Sequence, residues 1–263
     1  MKSIHSIFAA AALSSALCAA HAADRYSLWP RRPAEIEQAR RLLKEHRGQE
    51  AAALLQPFIA SEGIAGREAR QMVGSVNLPR YLSLRHPAAA VYTVRRGDNL
   101  AKVAAALRCP QDLMMLLNGI VEPSSIHVGQ KLVYVPMRQR MEINVPRGEL
   151  TVWDGAVLVA SYPVRGSAGI SGRDAVESTA VTKREGYVNG GRLPAYSPLM
   201  GSADRRLSLG NGLALHAGEK AAGAGFLLNQ GDLNELSLLV AEGAPVNITY
   251  AAADIPEADP RQP

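Results

Sequence analysis

The chain has 263 residues, 47% hydrophobic and 20% charged, which suits two or three modest globular domains better than one small core. Its formal net charge of +5 is mild and uneven: residues 23–90 carry 11 basic against 7 acidic side chains, whereas residues 137–263 carry 12 against 14. No basic stretch is interleaved with aromatics, which excludes nucleic acid as an expected partner. Aromatics make up only 5%, so the cores must rely on Ala, Leu, Val and Ile.

Residues 1–22 read as a secretory signal peptide. Lys2 supplies the positive start, an apolar run from Ile7 to Ala20 follows, and Ala20-His21-Ala22 offers small residues for cleavage before Ala23. The run is short for a spanning helix of ~20 residues. No later segment is long and apolar enough to span, so the expected location is periplasmic or otherwise extracytoplasmic. Cleavage removes Cys18 and leaves Cys109 as the single thiol, without an intrachain disulfide partner.

Residues 23–86 form a helical region. Ile36, Ala39 and Leu43 share one helical face, Ala51, Leu55, Phe58 and Ile59 continue after a break, and Gly48 is expected to stop the first helix. A third helix is expected over 65–73. The hairpin is loosely similar to one tetratricopeptide unit, too little for a repeat array, and its default role is packing or docking onto a protein partner. Residues 86–90, His-Pro-Ala-Ala-Ala, read as a linker.

Residues 91–136 carry the densest signals. Val91-Tyr92-Thr93-Val94 alternates as a strand, Gly97-Asp98 makes a turn, and Asp98 is placed to cap a helix. Leu100, Val103, Ala104 and Leu107 line that helix. Pro110 opens a second helix, which Asn118-Gly119 closes, and residues 131–135 form a last strand. The βααβ order resembles the LysM family. It is carried by Tyr-Thr-Val-Arg-Arg-Gly-Asp-Asn-Leu (92–100), Leu-Leu-Asn-Gly-Ile (116–120) and Val-Gly-Gln-Lys-Leu (128–132).

The resemblance implies a shallow groove for N-acetylglucosamine-containing glycan, lined by Gly97, Asp98, Asn99 and Leu100 opposite Asn118, Gly119, Ile120 and Val121. The plainer role of Asp98 and Asn118 is helix capping. Cys109 is expected to be a small buried hydrophobe.

Residues 141–250 resemble an L,D-transpeptidase domain of the YkuD-like fold in eroded form. Strands at 141–146, 149–153 and 158–164 follow that family's opening, residues 198–201 and 212–216 its middle, and a helix over 232–241 precedes a final strand at 245–250. Enzymes of this family attack a stem-peptide carbonyl with a cysteine thiolate from a Ser-His-Gly-Cys run followed by arginine. Here Gly223 stands at the histidine of that run, Gly225 at the nucleophile and Leu227 at the arginine. No Ser, Thr or Cys occurs between Ser208 and Ser237. His216 matches the family's general base, but a base without a nucleophile activates nothing, so no catalytic residue is assigned.

Beyond the signal segment the other histidines, His46, His86 and His127, are scattered without metal-ligand spacing, and neither a metal nor a cofactor is expected. Residues 251–263 read as a disordered tail. The sequence thus predicts a multidomain α+β chain: helical hairpin, LysM domain, mostly-β YkuD-like domain. Its expected function is peptidoglycan binding, with the C-terminal domain as scaffold or regulator and a cell-wall enzyme as a second partner. The alternative is a divergent L,D-transpeptidase or another cell-wall remodelling enzyme.

Overall fold

The computed structural model describes residues 32–188, 191–193, 204–217 and 223–251. The signal segment, the 198–201 element and the tail from 252 onward lie outside them. Three helices come first: α1 (Ala34–Lys44), α2 (Gly48–Leu55) and α3 (Gly63–Tyr81). The buried face of α1 runs through Ile36, Ala39 and Leu42, so it takes in Leu42 where the periodicity predicts Leu43. The break after α1 falls on His46, whose φ is 59°, and Gly48 opens α2 instead of ending α1. A Cβ at Gly48 would lie 3.2 Å from Val76, so a small residue lets α2 start against α3.

Strand β1 (Ala90–Thr93), helices α4 (Leu100–Ala106) and α5 (Gln111–Asn118), and strand β2 (Lys131–Tyr134) follow. β1 and β2 pair antiparallel, with Val91 opposite Val133 and Tyr92 opposite Leu132. This is the βααβ order expected. Leu100, Val103, Leu113, Met114 and Leu132 fill the space between helices and hairpin.

The remaining strands are β3 (Gln139–Asn144), β4 (Glu149–Asp154), β5 (Val157–Pro163), β6 (Gly166–Ala168), β7 (Val176–Val188), β8 (Gly191–Leu193), β9 (Asp204–Leu209), β10 (Ala214–Ala217), β11 (Gly225–Leu228) and β12 (Pro245–Thr249). They join in the order β5-β4-β3-β12-β7-β9-β10-β11-β6, with β8 on β7. β3 and β12 are parallel, as are β10 and β11, and every other pairing is antiparallel. The long β7 serves two halves of this sheet: its first residues pair with β12 and, past a register shift at 181–183, its later residues pair with β9.

Helix α6 (Gln230–Leu239) turns Leu233, Leu236 and Leu239 into the core, where it lies against β9, β10 and α5, and the same core takes in Met141, Ile143, Val246 and Ile248. That core runs without a break into the LysM-like block through Met137, Leu132 and Met114. Arg184 on β7 adds a polar tie. Its Nη1 donates to Asp112 on α5 (2.9 Å) and to the Ser237 carbonyl of α6 (2.9 Å).

The helical region lies on β5. α3 extends well past the expected 65–73 because its inner face is built from Gly66, Arg70, Gly74 and Asn77 as well as Ala69 and Val73. Gly74 permits close approach: a Cβ there would stand 3.0 Å from the Ser161 nitrogen and 3.3 Å from the Ala160 Cα. Asn77 donates to the Leu158 carbonyl at 2.7 Å. Arg70 donates through Nε to Glu149 (2.7 Å) and through Nη1 to the carbonyls of Ile59 and Ser61, and Ser161 Oγ donates to the other Glu149 oxygen. The inner face of α3 is therefore covered by the protein's own sheet.

Candidate functional site

Two places matter: the loops at one end of the βααβ block and the outer face of β9, β10 and β11. In the block, Val94 N donates to the Gln130 carbonyl and Gly129 N to the Val94 carbonyl, both at 2.9 Å. The turn after β1 therefore begins beside the end of the loop joining α5 to β2.

Asp98 does not cap α4. Its Oδ2 accepts from the Tyr92 hydroxyl (2.8 Å) and from Arg95 N (2.7 Å), while Asn99 is the N-cap, accepting from Lys102 N at 2.9 Å. The Arg95 amide and the Tyr92 hydroxyl hold the Asp98 carboxyl below the usual carboxylate range. Asp98 thus braces the turn on which Gly97 sits with φ 88°.

Leu100 is 1% exposed and belongs to the core, so its side chain supports the turn from beneath. Asn118 is also committed. Its Nδ2 donates to the Met114 and Val133 carbonyls and its Oδ1 accepts from Val133 N, all at 2.7 Å, which ties α5 to β2. Gly119 ends α5 in the left-handed conformation, φ 62°, and Ile120 turns inward to half-burial.

Among the groups these loops leave on the surface, beside Arg95, Arg96, Asn99 and Glu122, are backbone at Gly97 and Gly119 and two valines. Val121 is 60% exposed and Val128, on the same α5–β2 loop, is 65% exposed. Peptide N–H and C=O groups beside exposed methyls can meet an N-acetyl group on both its amide and its methyl. Val128 was not among the expected groove residues, although its run, Val-Gly-Gln-Lys-Leu (128–132), is one of the three that carry the LysM resemblance.

On the sheet, His216 in β10 stands directly across from Arg206 in β9 and Leu227 in β11. The position corresponding to the nucleophile, Gly225, has φ 150°, and a Cβ there would fall 1.9 Å from the Ala214 carbonyl oxygen. No side chain fits. Gly223 is open, with only the end of the Arg206 guanidinium 3.2 Å from where its Cβ would stand.

A half-buried guanidinium thus reaches this face from β9, while the arginine position of the run holds Leu227. Strand register brings Arg206 here, and the sequence alone carried no sign of it. Ser208, the next residue of β9 on this face, pairs across with Ala214, one pleat from His216.

Cys109 lies elsewhere, 3% exposed in the core of the α4–α5 pair, with burial pushing its thiol up to about 11. A thiol so shifted is protonated at neutral pH and is a poor nucleophile. Among the described residues, no group of His, Cys, Asp and Glu is arranged to hold a metal ion, and no helix is long and apolar enough to cross a membrane.

Comparison with known proteins agrees with these two halves unequally. Over somewhat less than half its length the chain is similar to solved L,D-transpeptidases. A cysteine-to-serine mutant of the Enterococcus faecium enzyme matches at 12% identity and TM-score 0.30, covering 42% of this chain and 49% of that one. The Mycobacterium smegmatis enzyme matches at 12% and 0.31, covering 47% and 65%. L,D-transpeptidase 3 of Mycobacterium tuberculosis matches at 15% and 0.33, covering 47% and 66%. The chain spans about half to two thirds of the length of these proteins, and scores of this size leave the sheet to be judged by its own residues. No curated protein matches the chain. The family model for the LysM domain matches residues 92–134, the whole βααβ unit but for the ends of β1 and the turn beyond β2, and this segment is a LysM domain.

Proposed function

We propose that this is an exported protein that holds cell-wall glycan through its LysM domain and carries a transpeptidase-like sheet that performs no acyl transfer. The observation that supports binding most directly is the LysM match over 92–134, with Gly97, Gly119, Val121 and Val128 open on adjoining loops. LysM domains bind N-acetylglucosamine-containing glycan of peptidoglycan, so the wall is the expected address and periplasmic placement follows from the signal-like segment.

The non-catalytic reading rests on the β9–β11 face. Acyl transfer by this route needs a nucleophile within hydrogen-bond reach of a base, ~3 Å. His216 lies across from Arg206 and Leu227, the equivalent nucleophile position has no space for a side chain, and the buried Cys109 is in the LysM core. The half-buried Arg206 guanidinium brings a positive charge to this face, which suits a scaffold that contacts stem peptides or positions a wall enzyme.

Sedimentation with purified sacculi tests the binding half. Because the LysM core is continuous with the sheet, excising 91–136 would unfold its neighbours. Charged substitutions at the two exposed valines, Val121→Glu and Val128→Glu, leave the core alone. Retention should weaken by ~10-fold or more, ~1.4 kcal/mol, with an unchanged melting temperature. Undiminished retention of this double variant would remove the LysM groove from the account.

A further inference from the structure

The outer face of β3, β4 and β12 carries a cleft of about 410 Å³ where the helical region stops short of covering the sheet. This volume is in the range of small-molecule sites, ~300–1,000 Å³. Ile59 and Ala60, following α2, form one wall, and the buried Arg70–Glu149 pair closes the floor. Cross-strand register lines up the open side: Glu142 is opposite both Thr151 and Asn247, and Asn144 is opposite Thr249.

Its charges are already matched. Arg140 lies 3.0 Å from Glu142, Arg70 2.7 Å from Glu149, and Arg147 donates through Nε to Glu62 at 2.6 Å. An ionic ligand would have to displace one of these pairs, whereas a neutral one would not. The hydrogen-bonding capacity that remains is of a particular kind. Asn144 Oδ1 accepts from Arg147 N, and Asn247 Oδ1 accepts from Ser178 Oγ, so both side chains keep amide N–H groups for a ligand. The Arg140–Glu142 pair sets a donor beside an acceptor, which matches a group that both donates and accepts. Trp153 is fixed by its Nε1–H to Thr151 Oγ1 (2.9 Å) and lies under the Arg140 guanidinium at 4.9 Å, giving a flat rim.

We infer that this cleft is a second ligand site, and that it takes a neutral oligosaccharide. Hydroxyl groups meet the paired donor and acceptor, acetamido carbonyls meet the asparagine N–H groups, and the C–H face of a sugar ring lies against Ile59 and Ala60. The choice of N-acetylglucosamine as the sugar rests on the glycan reading of the LysM domain; the cleft itself does not.

The experiment is a titration of the full ¹⁵N-labelled chain with the β-1,4-linked tetramer of N-acetylglucosamine, followed by NMR, in wild type and in the Val121→Glu, Val128→Glu variant. The expected result is saturable movement of the Trp153 indole N–H and the Asn144 and Asn247 side-chain amides in both proteins. Adding Asn247→Ala and Glu142→Ala should abolish the shifts of the Trp153 indole N–H and the Asn144 side-chain amide without changing the melting temperature. Shifts confined to the LysM loops would overturn the cleft and leave the LysM reading standing. Shifts confined to the cleft would do the reverse. Cleft resonances that respond to a zwitterionic tetrapeptide and not to the sugar would overturn the assignment of ligand class, and a titration that moves neither set would sink both readings.

Discussion

Gly225 shows how a single position can close off a chemistry. Its φ of 150° aims a would-be side chain into the Ala214 carbonyl at 1.9 Å, so restoring a cysteine by Gly225→Cys would force the parallel β10–β11 pair apart. Overpacking and backbone strain together should cost about 3 kcal/mol or more, read as a fall in the urea midpoint, and yield no transpeptidation. Gly223→Ala is the control. It meets only the far end of Arg206, a flexible side chain that can swing away, and should stay within about 0.5 kcal/mol of wild type.

Asp98 makes a pH prediction. Its carboxyl is held below the usual range by the Arg95 amide and the Tyr92 hydroxyl, so the bracing it gives is fully present above the ordinary carboxylate pKa of ~4. The bracing is lost as pH falls through the depressed folded value. The Arg95 amide resonance should therefore titrate below pH ~4, and Asp98→Asn should remove that titration while glycan retention at neutral pH weakens. An Arg95 amide that titrates at the ordinary value would contradict the bracing role.

At the scale of elements, the LysM block was largely legible because its instructions are local. Turn glycines, a capping residue and an apolar face follow one another within a few positions. The misplaced cap there, Asp98 for Asn99, joins two adjacent residues able to cap; the choice is made by Tyr92, six positions back, which claims Asp98 for the turn. Helix α3 was read short for the opposite reason. Its inner face depends on contacts about 80 residues away, where Arg70 meets Glu149 and Asn77 meets Leu158, and periodicity of apolar residues does not register a face made of glycine, arginine and asparagine.

That long-range pair can be tested. Arg70 and Glu149 are 2% and 3% exposed, so Arg70→Met would strand a buried carboxylate and should cost about 3–5 kcal/mol in chemical denaturation. Replacing both, Arg70→Met with Glu149→Leu, should recover most of that loss. A single variant as stable as wild type would mean that α3 does not depend on this pair to stay on the sheet.

Over the whole molecule, three stretches that look separable in sequence share packing. The LysM core continues into the sheet core, Arg184 joins α5 to β7 and the end of α6, and the first three helices close over β5. The LysM loops and the β9–β11 face thereby belong to one continuously packed body. Of the sheet, β3, β4, β5 and β12, together with α6, lie near the bounds that the family resemblance implied, whereas β6 to β9 and β11 had no expected bounds. The fusion of cores was not legible, since Met137 and Asp112 give no sign of their partners until the register of β7 is known.

The most direct measurement is to incubate the purified protein with intact sacculi, separate bound from free protein, and profile the muropeptides by mass spectrometry. The account predicts that the protein is retained on the sacculi and that the profile is unchanged. New 3–3 cross-links, released D-alanine or shortened stems would contradict it, by showing that acyl transfer or hydrolysis proceeds without a nucleophile at position 225.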